Sequence, residues 1–158
     1  MSFEIYKEDF SARYEIRHAI SVIMNIYYND IGKLILVAPV SGYNINVLKV
    51  GNLLYDTSRN VTFVIENTKI DTTTNRITAN GYTANWLLNK RIIASDYHMT
   101  TIETGVYKLI SDNLRGMTRI QVAQATGMTD KTDNVFMGGN LLDEIIPFLE
   151  EKGIGHTM

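Results

Sequence analysis

Apolar and polar residues alternate through the first half of this chain. From Ala12 the even positions run Ala12, Tyr14, Ile16, His18, Ile20, Val22, Met24, Ile26 and Tyr28, while the odd ones include Arg13, Glu15, Arg17, Ser21, Asn25 and Asn29. A period of two places these sets on opposite faces of an extended backbone, one dry and one wet. Seventeen residues exceed an ordinary strand, so a bend, bulge or turn is expected near His18–Ser21. Asn29-Asp30 signals a turn, and a buried strand Leu34–Val37 follows, stopped by Pro39, which together predict an antiparallel hairpin. Residues 45–56 predict a strand, a turn at Gly51-Asn52 and a second apolar run. Val61, Phe63 and Ile65 share one face of a strand over 61–70. The polar run 71–75 connects it to a partner strand over 76–82.

After Ala79 the pattern changes. The stretch "NGYTANWLLNKRII" (80–93) predicts a short helix 83–90 carrying the single tryptophan, Trp86. Gly81 is expected to allow the chain to leave the sheet sharply, and Trp86 with Leu87 to fold back as a lid over an open end of the barrel. Ile102, Val106, Leu109, Ile110 and Leu114 then form one stripe of an amphipathic helix 100–115. Thr100 and Glu103 have capping-box spacing at its start, worth about 1 kcal/mol for the cap, and Gly116 suits its end. A C-terminal helix near 140–152 is capped by Asn140, carries Asp143 and Glu144 in its first turn, and is closed by Gly153; Pro147 predicts a kink or a later start. Between the helices, Arg119–Ala123 reads as a strand and the remainder as loop.

The fold class is therefore α+β. An antiparallel β-barrel-like or sandwich part occupies about 2–82, with the three helices after it, because no long crossover helix separates the strands. The whole chain, 1–158, is read as a single domain, with a β part over 1–95 and a helical part over 96–158.

Composition adds exclusions. The chain has 158 residues, 45% hydrophobic and 20% charged, with a formal net charge of −2. No block of like charge suggests a nucleic-acid partner. The absence of cysteine excludes disulfides and thiolate metal sites. The N-terminal "MSFEIYKEDF" carries acids where a signal peptide has its basic region. The most apolar run, 20–28, is far short of the ~20 residues of a membrane helix, so no membrane insertion is expected.

No catalytic, cofactor-binding or metal-binding residue is assigned. His18 is in phase with the apolar face and reads as a half-buried structural histidine. Asp96 and His98 offer two ligands where zinc needs three or four. His156 reads as a solvated or linker residue, and "MGGN" (137–140) as a turn into a helix that lacks the lysine of a nucleotide loop. The acids are not paired as in a glycosidase. Tyr27 and Tyr28 point to opposite faces, so at most one belongs to a core.

Two motifs bear a resemblance. The strand "GKLILVAP" (32–39), and "ITANGYTANWLLNKRII" (77–93) with Gly81, Leu87 or Leu88, Arg91, Ile92 and Ile93 in place, resemble the N-terminal hub domain of siphophage and prophage tail-associated (tail hub, baseplate hub) proteins. The helix 100–115 looks like the one that joins two half-barrels in that family. The resemblance covers roughly 2–150 and rests on hydrophobic patterns. It implies a structural protein and not an enzyme. Such a protein would need no cofactor, would form a homo-oligomer such as a trimer, and would bind other phage tail proteins in a virion tail assembled in the host cytoplasm. The residues assigned structural roles are Gly81, Leu87 and Arg91, which the resemblance marks, with Trp86 as the lid and Thr100 and Glu103 as the capping pair. Family members are usually longer, so the chain is either a compact variant or an N-terminal portion with an incomplete second half-barrel. Two rival readings are a carbohydrate- or receptor-binding tail module using exposed tyrosines, and an uncharacterised hydrolase.

Overall fold

The computed structural model describes residues 3–16 and 18–155. The readings of Arg17 and His156 lie outside them. The chain divides into two compact units, one extending to Trp86 and the other spanning Leu87–Gly155.

The first unit is a seven-stranded antiparallel sheet. Its strands are β1 (Phe3–Tyr6), β2 (Arg13–Glu15), β3 (Ser21–Asn25), β4 (Lys33–Pro39), β5 (Leu53–Asp56), β6 (Val61–Asp71) and β7 (Arg76–Thr83), in the order β2-β1-β5-β6-β7-β4-β3. The order dictates the sheet's curvature. β2 and β3 are neighbours in sequence yet occupy opposite edges, six strand spacings apart, or about 29 Å across a flat sheet at about 4.8 Å each. The chain from Glu15 to Ser21 has six residue steps and reaches at most about 21 Å when fully extended. A flat sheet cannot be connected this way. The sheet curls into a half-barrel.

The expected alternation survives in pieces. β3 pairs with β4 from Ser21↔Val37 to Asn25↔Lys33, the predicted hairpin, and β6 pairs with β7 across the predicted 71–75 turn. In that turn the Asp71 carboxylate accepts bonds from the Thr73 and Thr74 amides at 2.9 and 3.3 Å. The alternating run 12–28 is interrupted where a bend, bulge or turn is expected, near His18–Ser21. It breaks into β2 and β3 at a link where His18 adopts φ 58°. His18 is exposed and not half-buried. Even-numbered Tyr14, Ile16, Val22 and Met24 keep their phase and pack against the core.

That core lines the concave face. Phe3, Ile5, Leu34, Leu36, Ala38, Leu54, Phe63, Ile65, Ile77 and Ala79 are all buried there. The strand expected over 45–50 is instead a helix, α1 (Gly42–Val47). Ser41 caps it, its Oγ accepting from the Asn44 amide at 3.0 Å, and the Asn44 side chain donates to the Pro39 carbonyl at 2.9 Å. Asn44, Val47 and Leu48 are buried while Ile45 is exposed; this is a 0, 3, 4 spacing, which is helical. Val47 and Leu48 join the core, so α1 is the plug of the half-barrel.

In the second unit, β8 (Tyr97–Thr101) pairs antiparallel with β9 (Lys131–Phe136), beside α2 (Ile102–Asn113) and α3 (Leu141–Glu151). A 3-10 helix, Ala84–Lys90, stands where the short helix is expected. β9 arises from sequence read as loop, and Arg119–Ala123, read as a strand, has no regular structure. Pro147 lies inside α3, which starts at Leu141. Ile102, Val106, Leu109 and Ile110 form the buried stripe of α2, and Leu141, Leu142, Ile145, Phe148 and Leu149 that of α3.

Candidate interaction surface

Gly81 sits within β7, opposite Ile65, where the β6–β7 register shifts between Ile65 and Asn67. A Cβ there would lie 2.3 Å from the Val64 carbonyl oxygen, well inside contact distance. The missing side chain therefore serves close approach of two backbones at a bulge, and the exit expected at Gly81 comes later. The exit is built at Thr83. Its Oγ1 accepts from the Gly32 amide at 2.9 Å and bonds Asn85 Oδ1 at 2.5 Å, and its own amide donates to the Gly32 carbonyl at 3.0 Å.

Trp86 is half-buried and stacks on Tyr82, ring centroids 4.7 Å apart at 34°. Strand alternation puts Tyr82 on the face opposite Ile77 and Ala79. It belongs to a cross-strand row Tyr6–Leu53–Val64–Tyr82–Lys33 on the convex side of the sheet. The indole therefore covers the convex face at the end of β7, and the end of the core is filled by α1.

The two sheet edges differ. β2 presents charge: Arg13 pairs with Glu4 of β1, and Glu15 follows. β3 presents none. Its outward residues are Ser21, Ile23 and Asn25, and Ile23 stands directly opposite Ile35 of β4, both exposed (53% and 41%). Ile20, Ile26, Tyr27 and Tyr28 flank the strand and are also exposed, Tyr28 most of all at 70%. Edge strands are ordinarily protected by charge, proline or brevity. The β3 edge has an isoleucine pair instead.

The remaining predicted residues lie in the second unit. Leu87 is buried. Arg91 donates from Nε to the Leu114 carbonyl at 2.9 Å, satisfying the C-terminal end of α2. Thr100 is exposed within β8, and the N-cap of α2 is Thr101, which makes no side-chain capping bond. Glu103 does not complete a capping box. Its carboxylate accepts bonds from the Thr126, Gly127 and Met128 amides and the Thr126 hydroxyl, at 2.6–3.0 Å. Those bonds, the Thr126 amide first, hold it below the ordinary glutamate value. Asn140 does cap α3: its Oδ1 accepts from the Leu142 and Asp143 amides at 2.9 and 3.3 Å, and its Nδ2 donates to the Asn89 carbonyl at 2.8 Å.

His98 Nε2 lies 2.5 Å from Asp133 Oδ1, with both side chains exposed. Among the described residues, no group of three or more His, Asp or Glu side chains could hold a metal ion, and no helix is long and apolar enough to cross a membrane. One polar site has no counterpart in the sequence reading. The Asp56 side chain is fully buried, accepting from the Ser58 amide (2.9 Å), the Ser58 hydroxyl (2.6 Å) and Arg59 NH1 (2.8 Å). Burial pushes this carboxyl up, but the bonds from Ser58 and Arg59 outweigh it and leave it below its ordinary value of 3.8. The Asp-x-Ser spacing of an Asx turn is the signal that points to it.

This architecture is one found in phage-tail proteins. It is similar to the crystal structure of prophage tail protein gp18 from Listeria monocytogenes EGD-e, with a TM-score of 0.68 at 13% sequence identity. The match covers 95% of this chain and 45% of that one, so the chain spans less than half the length of that protein. At that identity the likeness is one of fold. The family model of siphovirus ReqiPepy6 Gp37-like proteins matches residues 2–158, and the chain belongs to that family. A search of curated proteins gave no match.

Proposed function

We propose that this chain is a structural, non-enzymatic component of a phage or prophage tail tip or baseplate hub. It self-assembles, in a ring such as a trimer, and connects the tail tube to distal tip or fibre proteins in the virion. Family and fold support a place in the tail. The observation that carries self-assembly is the uncharged edge strand β3 with Ile23 beside Ile35 on its outward face. Pairing this edge with a neighbouring subunit satisfies backbone groups that an open half-barrel leaves to water, and a ring repeats the contact without leaving free ends. Sedimentation velocity over a range of concentrations tests the reading. The wild type is expected to sediment as an oligomer, and Ile23→Lys, which puts a charge on an already exposed position, as a folded monomer. A wild type that stays monomeric at high concentration and captures neither tube nor fibre protein of its own phage refutes it.

The exposed Tyr27 and Tyr28 favour a second reading, a glycan- or receptor-binding tail module, since an exposed tyrosine offers a partner an apolar ring with a polar hydroxyl. Binding on a glycan array that is lost in Tyr28→Ala would support it, and an empty array would remove it.

A further inference from the structure

Residues 117–130 of the second unit run from α2 towards β9 without regular structure. Ile120 is buried near the start of this stretch. At its far end the Ile102 amide donates to the Asp130 carbonyl at 3.0 Å. Between these points Val122 is half-buried and Ala123, Gln124, Ala125, Thr126, Gly127 and Met128 are all exposed. Packing therefore contributes little to holding them in place.

One carboxylate supplies the attachment. Glu103 Oε1 accepts from the Thr126 amide (2.6 Å) and hydroxyl (2.8 Å), and Oε2 from the Gly127 (3.0 Å) and Met128 (2.9 Å) amides. Three consecutive amides aimed at one anion form a nest. Gly127 makes it possible by adopting φ +96°, which a side chain disfavours. Glu103 stands in the first turn of α2, so the nest lies against that turn.

We propose that residues 121–128 form a strap latched by Glu103: closed over the start of α2 while the carboxylate fills the nest, and free to swing out when it does not. The nest is a carboxylate-binding site occupied by the chain's own side chain. An acidic group presented by another molecule would compete for it.

Hydrogen exchange on the full chain tests this. In Glu103→Ala the amides of 126–128 should exchange roughly tenfold faster or more, while those of 106–113 in α2 are unchanged, because only local opening is affected. Glu103→Gln, which keeps one acceptor oxygen, should fall between. Gly127→Ala leaves α2 untouched and meets no atom within 4 Å, yet strains the nest backbone, and should open the same amides. Added formate should restore protection in Glu103→Ala and not in Gly127→Ala. Unchanged exchange at 126–128 in both Glu103→Ala and Gly127→Ala overturns the proposal. So does Glu103→Ala loosening α2 throughout while Gly127→Ala leaves the strap closed. Neither outcome bears on the tail-hub reading, which the strap does not rest on.

Discussion

Replacing Gly81 by alanine adds one methyl group where β7 lies against the β6 backbone. That methyl would sit 2.3 Å from the Val64 carbonyl oxygen, 3.1 Å from its carbon and 3.4 Å from Ile65 Cα. Ordinary contact begins near 3.4 Å, so β6 and β7 must part by the difference, 3.4 − 2.3 = 1.1 Å. The obstacle is backbone on a paired strand and cannot rotate away. Overpacking of this kind costs about 1–3 kcal/mol, and stretching a neighbouring ladder bond adds about 1 kcal/mol, for a total near 3 kcal/mol. In a chain of this size about 3 kcal/mol lowers the melting temperature by roughly 6–12 °C. Urea denaturation followed by circular dichroism measures it, with Gly42→Ala as the control. Gly42 opens α1, and a methyl group added there would meet no atom within 4 Å, so alanine should be neutral or stabilise by up to about 1 kcal/mol. A Gly81→Ala variant within about 1 kcal/mol of wild type, or a Gly42→Ala variant equally damaged, would show that the close approach at the bulge is not what demands glycine.

Further predictions concern α1 and the β5–β6 turn. Leu48→Ala should cost about 2–5 kcal/mol by emptying the plug of the half-barrel, whereas Ile45→Ala, on the exposed side of α1, should stay within about 0.5 kcal/mol; a strand over 45–50 would reverse the order, and urea midpoints decide. Asp56→Ala should cost about 2–3 kcal/mol at pH 7 by removing a buried carboxylate that accepts from Ser58 and Arg59. The Asp56 carboxyl is depressed in the folded chain, so its contribution is full above the unfolded value near 3.8 and fades as pH falls through the lower folded value. The gap between wild type and variant should therefore close on acidification from pH 5 to pH 2, and a gap constant over that range would contradict the reading.

Sequence alternation was informative where one strand face is dry and the other wet. β3 and β6 follow from it; β4 and the hairpins joining β3 to β4 and β6 to β7 follow from apolar runs bounded by turn signals, α2 from its 3.6-residue stripe and α3 from its capping residues. It failed at α1, where six residues are too few to separate a period of two from one of 3.6, although Ser41 as a cap and the Asn44, Val47, Leu48 spacing carried the helical signal. It failed at β9, a polar strand in a two-stranded ribbon with no apolar period to read. Thr100 was one residue away from the true N-cap, an ordinary boundary error. Of the candidate surface, the sequence reading singled out Tyr27 and Tyr28 but not Ile23 and Ile35, because whether these two sit outward depends on the β3–β4 register and on β3 being an edge. No pattern of residue types announced that Glu103 reaches across to residues 126–128, because that contact spans more than twenty positions.

The placement of β2 and β3 at opposite rims also governs how this chain can be made. Each pairs early with a strand adjacent in sequence, β2 with β1 and β3 with β4, but the strands that join the two hairpins, β5, β6 and β7, are made later. β1 waits for β5, and β4 is flanked on its inner side by β7, so the hairpin of β3 and β4 stands alone until residue 83 has been synthesised. A nascent or truncated product ending before Thr83 therefore has its isoleucine-bearing hairpin and no barrel to hold it. Such pieces should aggregate, and the intact chain should fold slowly, since its decisive pairings are distant in sequence.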